Sequence, residues 1–553
     1  MGQTSENPLP DTYYLDYFNF LLEFVQKNYH NILQSEEHQF IKKFNQLSHN
    51  GQCTFVRLAN RKGPFFRQSK LAYREIDNIH LSIDELHRNE FISFGKEDVV
   101  SSFIFLFTKP EIINLSEAYG WDNFFKRNQR KEDIIFSIIE QVPSNEVFEI
   151  LFDEDRIIFF ESSPIVNFLK LLFFGDQYSD MTQFVMRDLG NIKLENFDNV
   201  DFTPNFHTRE EVNEYITYIE AYQVFKEARE LLTPVKVYTW FTDAEIESPT
   251  DYGSKSGKLY SKIVLKLGKL LEQGGFLLEA LEIYRNTDQP PARERQVRLL
   301  MRLNEEVEAA TIAQRILDNP KTATEALFAK DFLNAGAGRI KRSTTLSLKA
   351  ANEISIVQDP GISVERQAVQ HFRAQGYEAF HTENSLWRFL FGTIFWSETY
   401  DTTQNTFHHP LQRLPSDIQD KSFYDKRASA INDKLKKLRS KKIVLQTLDE
   451  VYAEKHGIAN PYVYWSDNML LLSKKAVELM PLKGLKEVLK MIAIQVKTNS
   501  TGFPDLFVYK NRNYHFYEIK SPTDQLSAQQ LFWIDFMHKW NIKADVLKVT
   551  WES

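Results

Sequence analysis

The residues best suited to chemistry lie near the C-terminus of the chain. Asp505 follows Gly502-Phe503-Pro504, and Glu518 and Lys520 stand two positions apart further along. Two carboxylates brought together repel each other unless a cation joins them, and oxygen ligands suit Mg²⁺ or Mn²⁺. Such a cation polarises a phosphodiester and lowers the pKa of a bound water. The residue types therefore predict phosphodiester hydrolysis assisted by Mg²⁺ or Mn²⁺, with one or two ions in the site.

A β-hairpin would position these side chains. Two β-rich runs, 502–509 and 514–520, are separated by a polar turn that contains asparagine. Asp505 would start the first strand, and Glu518 and Lys520 would project from one face of the second. The Lys520 ammonium can then orient the attacking water or stabilise the charge of the transition state. Taken alone, the same residues also fit a turn acid beside an ordinary surface Glu–Lys pair.

Helices on either side of the hairpin would complete the site. After the hairpin, Asp524 or Ser527 predicts the N-cap of a helix, and 544–549 predicts a last strand. Upstream, a helix predicted over 364–375 begins near Glu365. This helix would bring a further carboxylate to the metal.

Two segments carry local basic charge in an otherwise acidic chain. Residues 55–74 hold six basic residues and four aromatics without an acid, and 421–442 holds nine basic residues against two acids. Cations release counterions from a phosphate backbone and rings stack on bases, so both segments predict contact with nucleic acid. Solvated surface faces are the alternative for both. The candidate DNA-binding residues are Arg57, Arg61, Lys62, Arg67, Lys70, Lys434, Lys436 and Lys437.

Composition limits the class of protein. At about 100 to 200 residues per domain, the 553 residues are too many for one core. The net charge of −8 means that any hold on nucleic acid must come from local patches. The lone Cys53 excludes an internal disulfide and a cysteine-ligated zinc, which favours a cytoplasmic protein. The first residues lack the pattern of a secretory signal, and no apolar segment approaches the roughly 20 residues that span a bilayer.

Helical patterns dominate the chain before the hairpin. Apolar residues at spacings of three and four predict helices over 13–47. From about 207 to 335 the chain is helix-favouring, and Gly268 and Tyr284 have the spacing of packing positions in a tetratricopeptide unit. The small, polar and basic stretch 336–350 predicts a linker, after which the pattern changes.

The stretch 502–530 resembles the VRR-NUC branch of the PD-(D/E)XK nucleases. The resemblance extends over essentially the whole chain to the Fanconi-associated nuclease family, including its bacterial members. The matching segments are Tyr13-Tyr14-Leu15, Val56-Arg57-Leu58, Arg61–Arg67, Leu71–Ile76, Ser363-Val364-Glu365, Glu383-Asn384-Ser385 and Ser422-Phe423-Tyr424.

The resemblance implies roles for individual residues. The catalytic group would be Glu365, Asp505, Glu518 and Lys520. The metal ligands would be Glu365, Asp505, Glu518 and the main-chain carbonyl of Ile519. Asp524 and Gln530 match positions that line the family's site, where they would support the ligands or contact DNA.

The resemblance also implies a multidomain α+β fold, with mostly helical N-terminal and repeat regions before a C-terminal α/β nuclease domain of the PD-(D/E)XK (VRR-NUC) type. The expected regions are an N-terminal helical DNA-binding region at 1–95, a SAP-like helical DNA-binding region at 96–205, a TPR-like helical repeat region at 206–349 and the nuclease domain at 350–553.

The activity implied by the resemblance is that of a structure-selective DNA nuclease of the phosphodiesterase I type. It would cut 5′ flaps and branched DNA, trim DNA from 5′ to 3′ and act in DNA repair, including repair of interstrand crosslinks. Its partner would be branched or flapped DNA, in the nucleoid if the chain is bacterial, and the helical repeats leave room for a protein partner. Two alternatives stay open: a junction resolvase, which requires a symmetric dimer, and a non-catalytic DNA-binding scaffold.

Overall fold

The computed structural model describes residues 9–95, 100–197, 200–244, 246–335 and 342–552. The chain divides into two compact units. The N-terminal unit comprises Met1–Ile192 and Phe202–Glu211, and the C-terminal unit comprises Lys193–Asp201 and Val212–Ser553. The finer division into four regions stays a prediction.

The N-terminal unit is mostly helical. Its helices are α1 (Tyr13–Asn28), α2 (Ser35–Asn45), α3 (His49–Ala59), α4 (Ile79–Arg88), α5 (Val100–Phe103), α6 (Lys109–Tyr119), α7 (Lys131–Gln141), α8 (Ser144–Glu154), α9 (Ser163–Phe174) and α10 (Thr182–Asp188). Its strands are β1 (Phe65–Arg67), β2 (Ser93–Phe94) and β3 (Ile157–Phe159), which form an antiparallel sheet in the order β1-β3-β2. The helices predicted over 13–47 are confirmed, and most of their apolar stripe is buried, as at Tyr17, Leu21 and Val25, although Phe20 is exposed.

Helices also fill the first half of the C-terminal unit. They are α11 (Arg209–Leu231), whose first three residues belong to the N-terminal unit, α12 (Pro234–Asp243), α13 (Lys255–Gln273), α14 (Leu277–Tyr284), α15 (Ala292–Arg302), α16 (Glu306–Asp318), α17 (Ala323–Ala335) and α18 (Ser343–Ala350). A Cβ added at Gly268 would lie 2.7 Å from the Tyr284 ring, so only glycine allows α13 and α14 to approach this closely. The two positions therefore pack as their spacing predicts.

The second half of this unit holds a five-stranded sheet and its covering helices. The elements are β4 (Asn352–Ile356), α19 (Val364–Ala374), β5 (Glu378–His381), α20 (Ser385–Ile394), α21 (Trp396–Thr399), α22 (Ser422–Lys437), α23 (Lys441–Lys455), α24 (Asp467–Leu479), α25 (Leu482–Ile494), α26 (Val496–Asn499), β6 (Leu506–Lys510), β7 (Asn513–Lys520), α27 (Ala528–Lys539) and β8 (Ala544–Trp551). The strand order is β4-β8-β7-β6-β5. Strand β8 pairs in parallel with β4 and β7, while β6 is antiparallel to β5 and β7.

The sheet has an apolar core on each face. On one face Leu506 and Ile519 pack with residues of α19, and on the other Phe507 and Phe516 pack with residues of α20, α25 and α27. Side chains alternate between faces along a strand, so burial on both faces fixes the register of the hairpin. Helices before a C-terminal α/β sheet domain confirm the predicted α+β fold class.

The predicted linker over 336–350 is wrong for its second half. Residues 343–350 form α18, and Leu348 packs against a buried cluster that includes Leu526 and Ile534. Residues 336–341 lie outside the described part of the chain. Tertiary packing overrides the weak helix preference of a Ser- and Thr-rich segment here. Among the described residues, we find no helix with the length and apolar character of a membrane span.

Candidate active site

The β6–β7 hairpin brings the two predicted carboxylates and the lysine to one face of the sheet. Asp505 directly precedes β6, and the register pairs Leu506 with Tyr517. Glu518 and Lys520 lie on the same face of β7 as the core residue Phe516, as period-two alternation predicts. The Lys520 Nζ lies 2.8 Å from Glu518 Oε1.

Backbone hydrogen bonds hold Asp505 in place. Its Oδ2 accepts the N–H of Ile519 at 2.8 Å, and its carbonyl accepts the N–H groups of Thr382 at 2.8 Å and Glu383 at 2.9 Å. Burial raises the pKa of Asp505 to about 6, although the Ile519 N–H and the charge of Lys520 act in the opposite direction. Its carboxylate is thus fixed on the β7 side while its main chain is fixed to the segment after β5.

Glu518 is the most deeply buried carboxylate of the site, with 1% of its surface exposed. Its Oε1 lies 2.8 Å from the Lys520 ammonium and accepts a hydrogen bond from Gln530 Nε2 at 2.5 Å. Its Oε2 is buried and has no hydrogen-bond partner within the described residues. Burial, reinforced by the nearby Asp505 carboxylate, raises the pKa of Glu518 to about 8. One oxygen is therefore satisfied, and the other is available to a ligand.

The first turn of α27 orients Gln530. Ser527 Oγ accepts the N–H of Gln530 at 3.2 Å, and Gln530 Oε1 accepts the N–H of Ser527 at 2.9 Å. This capping box leaves the Gln530 amide nitrogen directed at Glu518. Of the two predicted N-caps Ser527 is the one that forms, whereas Asp524 is exposed and accepts the N–H of Ser521 at 2.8 Å.

The remaining predicted carboxylate, Glu365, lies in the first turn of α19 and is half-buried. Its charge adds to the effect of burial in raising the pKa of Asp505. Two further residues, not singled out as site residues from the sequence, act on the same carboxylates: His381 opposes the rise at Asp505, and Glu383 adds to the rise at Glu518. The pairing of β5 with β6 brings both there, which only a known strand order could have indicated.

The oxygen donors of the site suit a divalent cation. The carboxylates of Glu365, Asp505 and Glu518 supply oxygen donors, and the unpartnered Oε2 of Glu518 is the kind of buried atom that a cation satisfies. Across the described residues, however, no group of three or more His, Cys, Asp and Glu side chains has the arrangement of a formed metal centre. Glu518 Oε1 is instead held by Lys520 and Gln530.

Comparison with known proteins shows what this chain is similar to. The VRR-NUC domain matches residues 439–551, which include the hairpin, and the FAN1 HTH domain matches residues 12–93. The Fanconi-associated nuclease 1 homolog of Pseudomonas aeruginosa is 24% identical over 98% of this chain and 96% of its own length. This chain is therefore similar to a Fanconi-associated nuclease over nearly its whole length. The Fanconi-associated nuclease 1 homolog of Arabidopsis thaliana is 25% identical over 98% of this chain and 67% of its own length.

A solved structure has the same fold as this chain. The crystal structure described as paFAN1 bound to 2nt 5′flap DNA with gap superposes with a TM-score of 0.86 at 24% identity, covering 98% of this chain and 99% of that one. The match to the VRR-NUC domain and the similarity to a Fanconi-associated nuclease indicate an enzyme of the nuclease class that depends on a divalent metal.

The basic residues predicted to bind DNA in the N-terminal unit differ in exposure. Arg61, Lys62 and Lys70 are exposed. Arg57 is half-buried over the Tyr14 ring, and its Nε and Nη2 donate to Glu75 at 2.8 and 2.5 Å.

Arg67 does not resemble a DNA contact. It is buried, its Nε donates to Asp155 Oδ2 at 2.8 Å, and its Nη1 donates to both oxygens of Glu111 at 2.8 Å. A guanidinium enclosed by two carboxylates is neutralised by the protein itself. We therefore leave Arg67 out of the proposed DNA-binding set.

The second predicted basic segment forms α22 and the start of α23 in the C-terminal unit. On α22, Lys437 is exposed, Lys434 is half-buried, and Lys436 is exposed and pairs with Asp433 at 2.9 Å. A surface ion pair of this kind is worth little, so Lys436 can still exchange its partner for a phosphate. All three remain predicted DNA contacts.

Proposed function

We propose that this chain is a structure-selective DNA nuclease that hydrolyses phosphodiester bonds with Mg²⁺ or Mn²⁺. It would cut 5′ flaps and branched DNA, trim from 5′ to 3′, and act in DNA repair, including repair of interstrand crosslinks. The VRR-NUC domain match, the similarity to a Fanconi-associated nuclease and the 5′-flap DNA in the similar crystal structure support this substrate class. If the chain is bacterial, its place of action would be the nucleoid.

The observation that carries the proposal is the buried, unpartnered Oε2 of Glu518 beside Asp505 and Lys520. Native structures rarely leave a buried carboxylate oxygen unsatisfied without a functional reason. A purely structural Glu–Lys pair would have no use for the neighbouring Asp505. A non-catalytic scaffold leaves this arrangement without a role, and no observation on the described residues favours a junction resolvase.

The site residues divide the work of hydrolysis. Glu365, Asp505, Glu518 and the Ile519 carbonyl would hold the cation, which when bound would polarise the phosphodiester and lower the pKa of a water. The Lys520 ammonium, fixed by Glu518, would orient the attacking water or stabilise the charge that develops on the phosphate. Gln530 keeps Glu518 in the rotamer that this requires.

The test is cleavage of an end-labelled 5′-flap duplex in Mn²⁺, Mg²⁺ or EDTA. We expect incision near the junction with either metal and none in EDTA. Lys520→Ala should reduce the rate by about 100-fold or more while DNA binding persists.

Lys548→Ala is the matched control for this test. Lys548 lies opposite Lys520 on the neighbouring strand β8, but its ammonium pairs with Glu353. Its loss should leave cleavage intact. Full activity of Lys520→Ala would refute the site assignment, and binding without incision under every metal would refute the nuclease proposal.

A further inference from the structure

An apolar groove lies in the C-terminal unit, and no residue of the candidate active site lines it. The groove has a volume of about 550 Å³ and is bordered by α17 on one side and by α25 and α27 on the other. Its floor consists of apolar side chains from these helices: Ala326, Met491, Ile494, Leu531, Phe532 and Phe536. Volumes of roughly 300 to 1,000 Å³ with a mainly apolar lining are typical of ligand sites, so the groove is large enough to hold side chains of a partner.

The sequence of α27 makes two faces of this helix apolar. On one face, Trp533 and Met537 are buried in the core that covers the sheet. On the groove side, Phe532 and Phe536 are four residues apart, and their ring centres lie 5.7 Å from each other. Both of these residues are only half-buried. A helix with two apolar faces needs cover on both, and the described residues cover the second face only in part.

Lysines surround the groove. Lys321, Lys330, Lys421 and Lys539 line it together with a single acid, Asp535. Lys330, Lys421 and Lys539 are exposed, and within the described residues none of the four ammonium groups is in an ion pair. Because the whole chain has a net charge of −8, this excess of cations is a local property of the groove.

The acids near the groove compensate these charges incompletely. Burial lowers the pKa of Lys321. Asp288 and Glu325 oppose this effect, whereas Arg293 and Lys421 add to it. Glu325 is also engaged by Arg293 through both of its oxygens. The pKa of Lys321 remains below its ordinary value, so an anion from outside the chain would stabilise the ammonium.

We propose that this groove binds an acidic segment of a partner protein that carries large apolar side chains. The partner's apolar side chains would occupy the floor, and its carboxylates would lie against the surrounding lysines. Charge complementarity and the apolar floor together select this occupant. A nucleobase fits the floor less well, because its polar edges would be buried without hydrogen-bond partners. The site goes beyond cleavage of DNA, since it would recruit a protein whether or not bound DNA is cut.

The experiment is a selection of random dodecapeptides displayed on phage against the full chain. Enriched peptides would be synthesised with a fluorescent label, and their affinity would be measured by anisotropy. We expect the enriched sequences to combine several acids with at least one large apolar residue. Lys330→Glu should weaken their binding by about tenfold or more, because a carboxylate would then face carboxylates. Ala326→Trp, which fills the floor, should weaken it similarly, and thermal melts would check that this variant is folded.

Lys269→Glu is the matched control, because Lys269 is exposed on α13 of the same unit and does not line the groove. It changes the net charge as Lys330→Glu does and should leave peptide affinity nearly unchanged. Equal losses in the two variants would overturn the proposal, as would a selection in which no enriched peptide depends on Lys330 and Ala326. If Lys330→Glu weakened binding of a 5′-flap duplex in EDTA and no peptide depended on the groove, the occupant would be nucleic acid instead.

Discussion

Two buried charge clusters of this protein differ in how completely they are satisfied. In the N-terminal unit, both oxygens of Glu111 accept from Arg67, and the two oxygens of Asp155 accept from Arg67 and Ser69. In the C-terminal unit, Glu518 has one oxygen held by Lys520 and Gln530 and one without a partner.

Structural and functional charge can be separated by how completely each carboxylate is satisfied. A closed network has no affinity left for a ligand, so it stabilises the fold and little else. An open network keeps a buried polar oxygen without a partner, which a ligand can satisfy. Removing a residue should therefore mainly affect stability in the first cluster and activity in the second.

The largest expected effect is on catalysis in the open cluster. Glu518→Gln should reduce flap cleavage by about 1000-fold, because loss of a metal ligand costs several kcal/mol of transition-state stabilisation. Its melting temperature should equal or exceed that of the wild type, since a neutral amide avoids the cost of a buried charge. Cleavage assays and thermal melts of the same preparations would measure both.

Glu325→Gln provides the control for this prediction. Glu325 is also buried, but both of its oxygens accept from Arg293, and one also accepts the N–H of Lys321. Its substitution should lower stability and leave cleavage per folded molecule unchanged. If Glu518→Gln lost stability as Glu325→Gln does, the contrast between open and closed clusters would be wrong.

The second effect is on stability in the closed cluster. Arg67→Met leaves Asp155 buried and unpaired, which should lower the free energy of unfolding by about 3 to 5 kcal/mol. Chemical denaturation monitored by circular dichroism would measure it. Arg57→Met should cost less, because the Arg57 side chain is 30% exposed and Glu75 keeps its hydrogen bond from Tyr14. A stable Arg67→Met variant with weakened DNA affinity would instead restore Arg67 to the DNA-binding set.

Part of the open cluster could be predicted from the sequence alone. Because side chains alternate between the two faces along β7, Glu518 and Lys520 must share a face. Ser527 followed three residues later by Gln530 is a local signal for a helix cap. These features depend on neighbours within a few residues. They could be predicted because the geometry of a strand or a helix end is set locally.

Features that depend on distant partners could not be predicted. Arg61 and Arg67 look alike in the sequence, but Arg67 is buried against Asp155 and Glu111. These partners lie 88 and 44 positions along the chain from Arg67. Similarly, His381 and Glu383 act on the site only because β5 pairs with β6. The composition of 343–350 predicts a linker, but α18 forms there because Leu348 packs against the cluster around Leu526. Long-range contacts decide these cases, and residue type does not reveal them.

A smaller effect should come from the residue that orients the open cluster. Gln530→Ala removes the hydrogen bond to Glu518 and should reduce metal affinity or activity by about 10- to 100-fold. Titration of cleavage with Mn²⁺ would separate a loss of affinity from a loss of maximal rate. Ser527→Ala is the control, because it weakens the same helix cap without touching Glu518. If both variants lost metal affinity or activity equally, the cause would be the weakened helix cap and not the hydrogen bond to Glu518.

The smallest effect is on the pH dependence of stability, and it has opposite signs in the two clusters. Burial alone would raise the pKa of Glu111, but hydrogen bonds from Thr108 and Arg67 lower it to about 2. The folded state then binds a proton less readily than the unfolded state. The ionised Glu111 therefore stabilises the folded state above about pH 4.5, and this stabilisation is lost as pH falls toward 2. The melting temperatures of wild type and Glu111→Gln should therefore converge on acidification.

In the open cluster, burial raises the pKa of Glu518 to about 8, so the folded state binds the proton more readily than the unfolded state. Stability without metal should then fall as pH rises from about 4.5 to 8. In this range the unfolded state loses the proton freely, whereas the folded state keeps it because ionisation would leave a buried charge. Glu518→Gln should remove this decline, and Mn²⁺ should reverse it in the wild type by binding only the folded site. Melts across this range in EDTA and in Mn²⁺ would measure both effects. A decline that persisted in Glu518→Gln would show that some other group, and not the open carboxylate, sets the pH dependence.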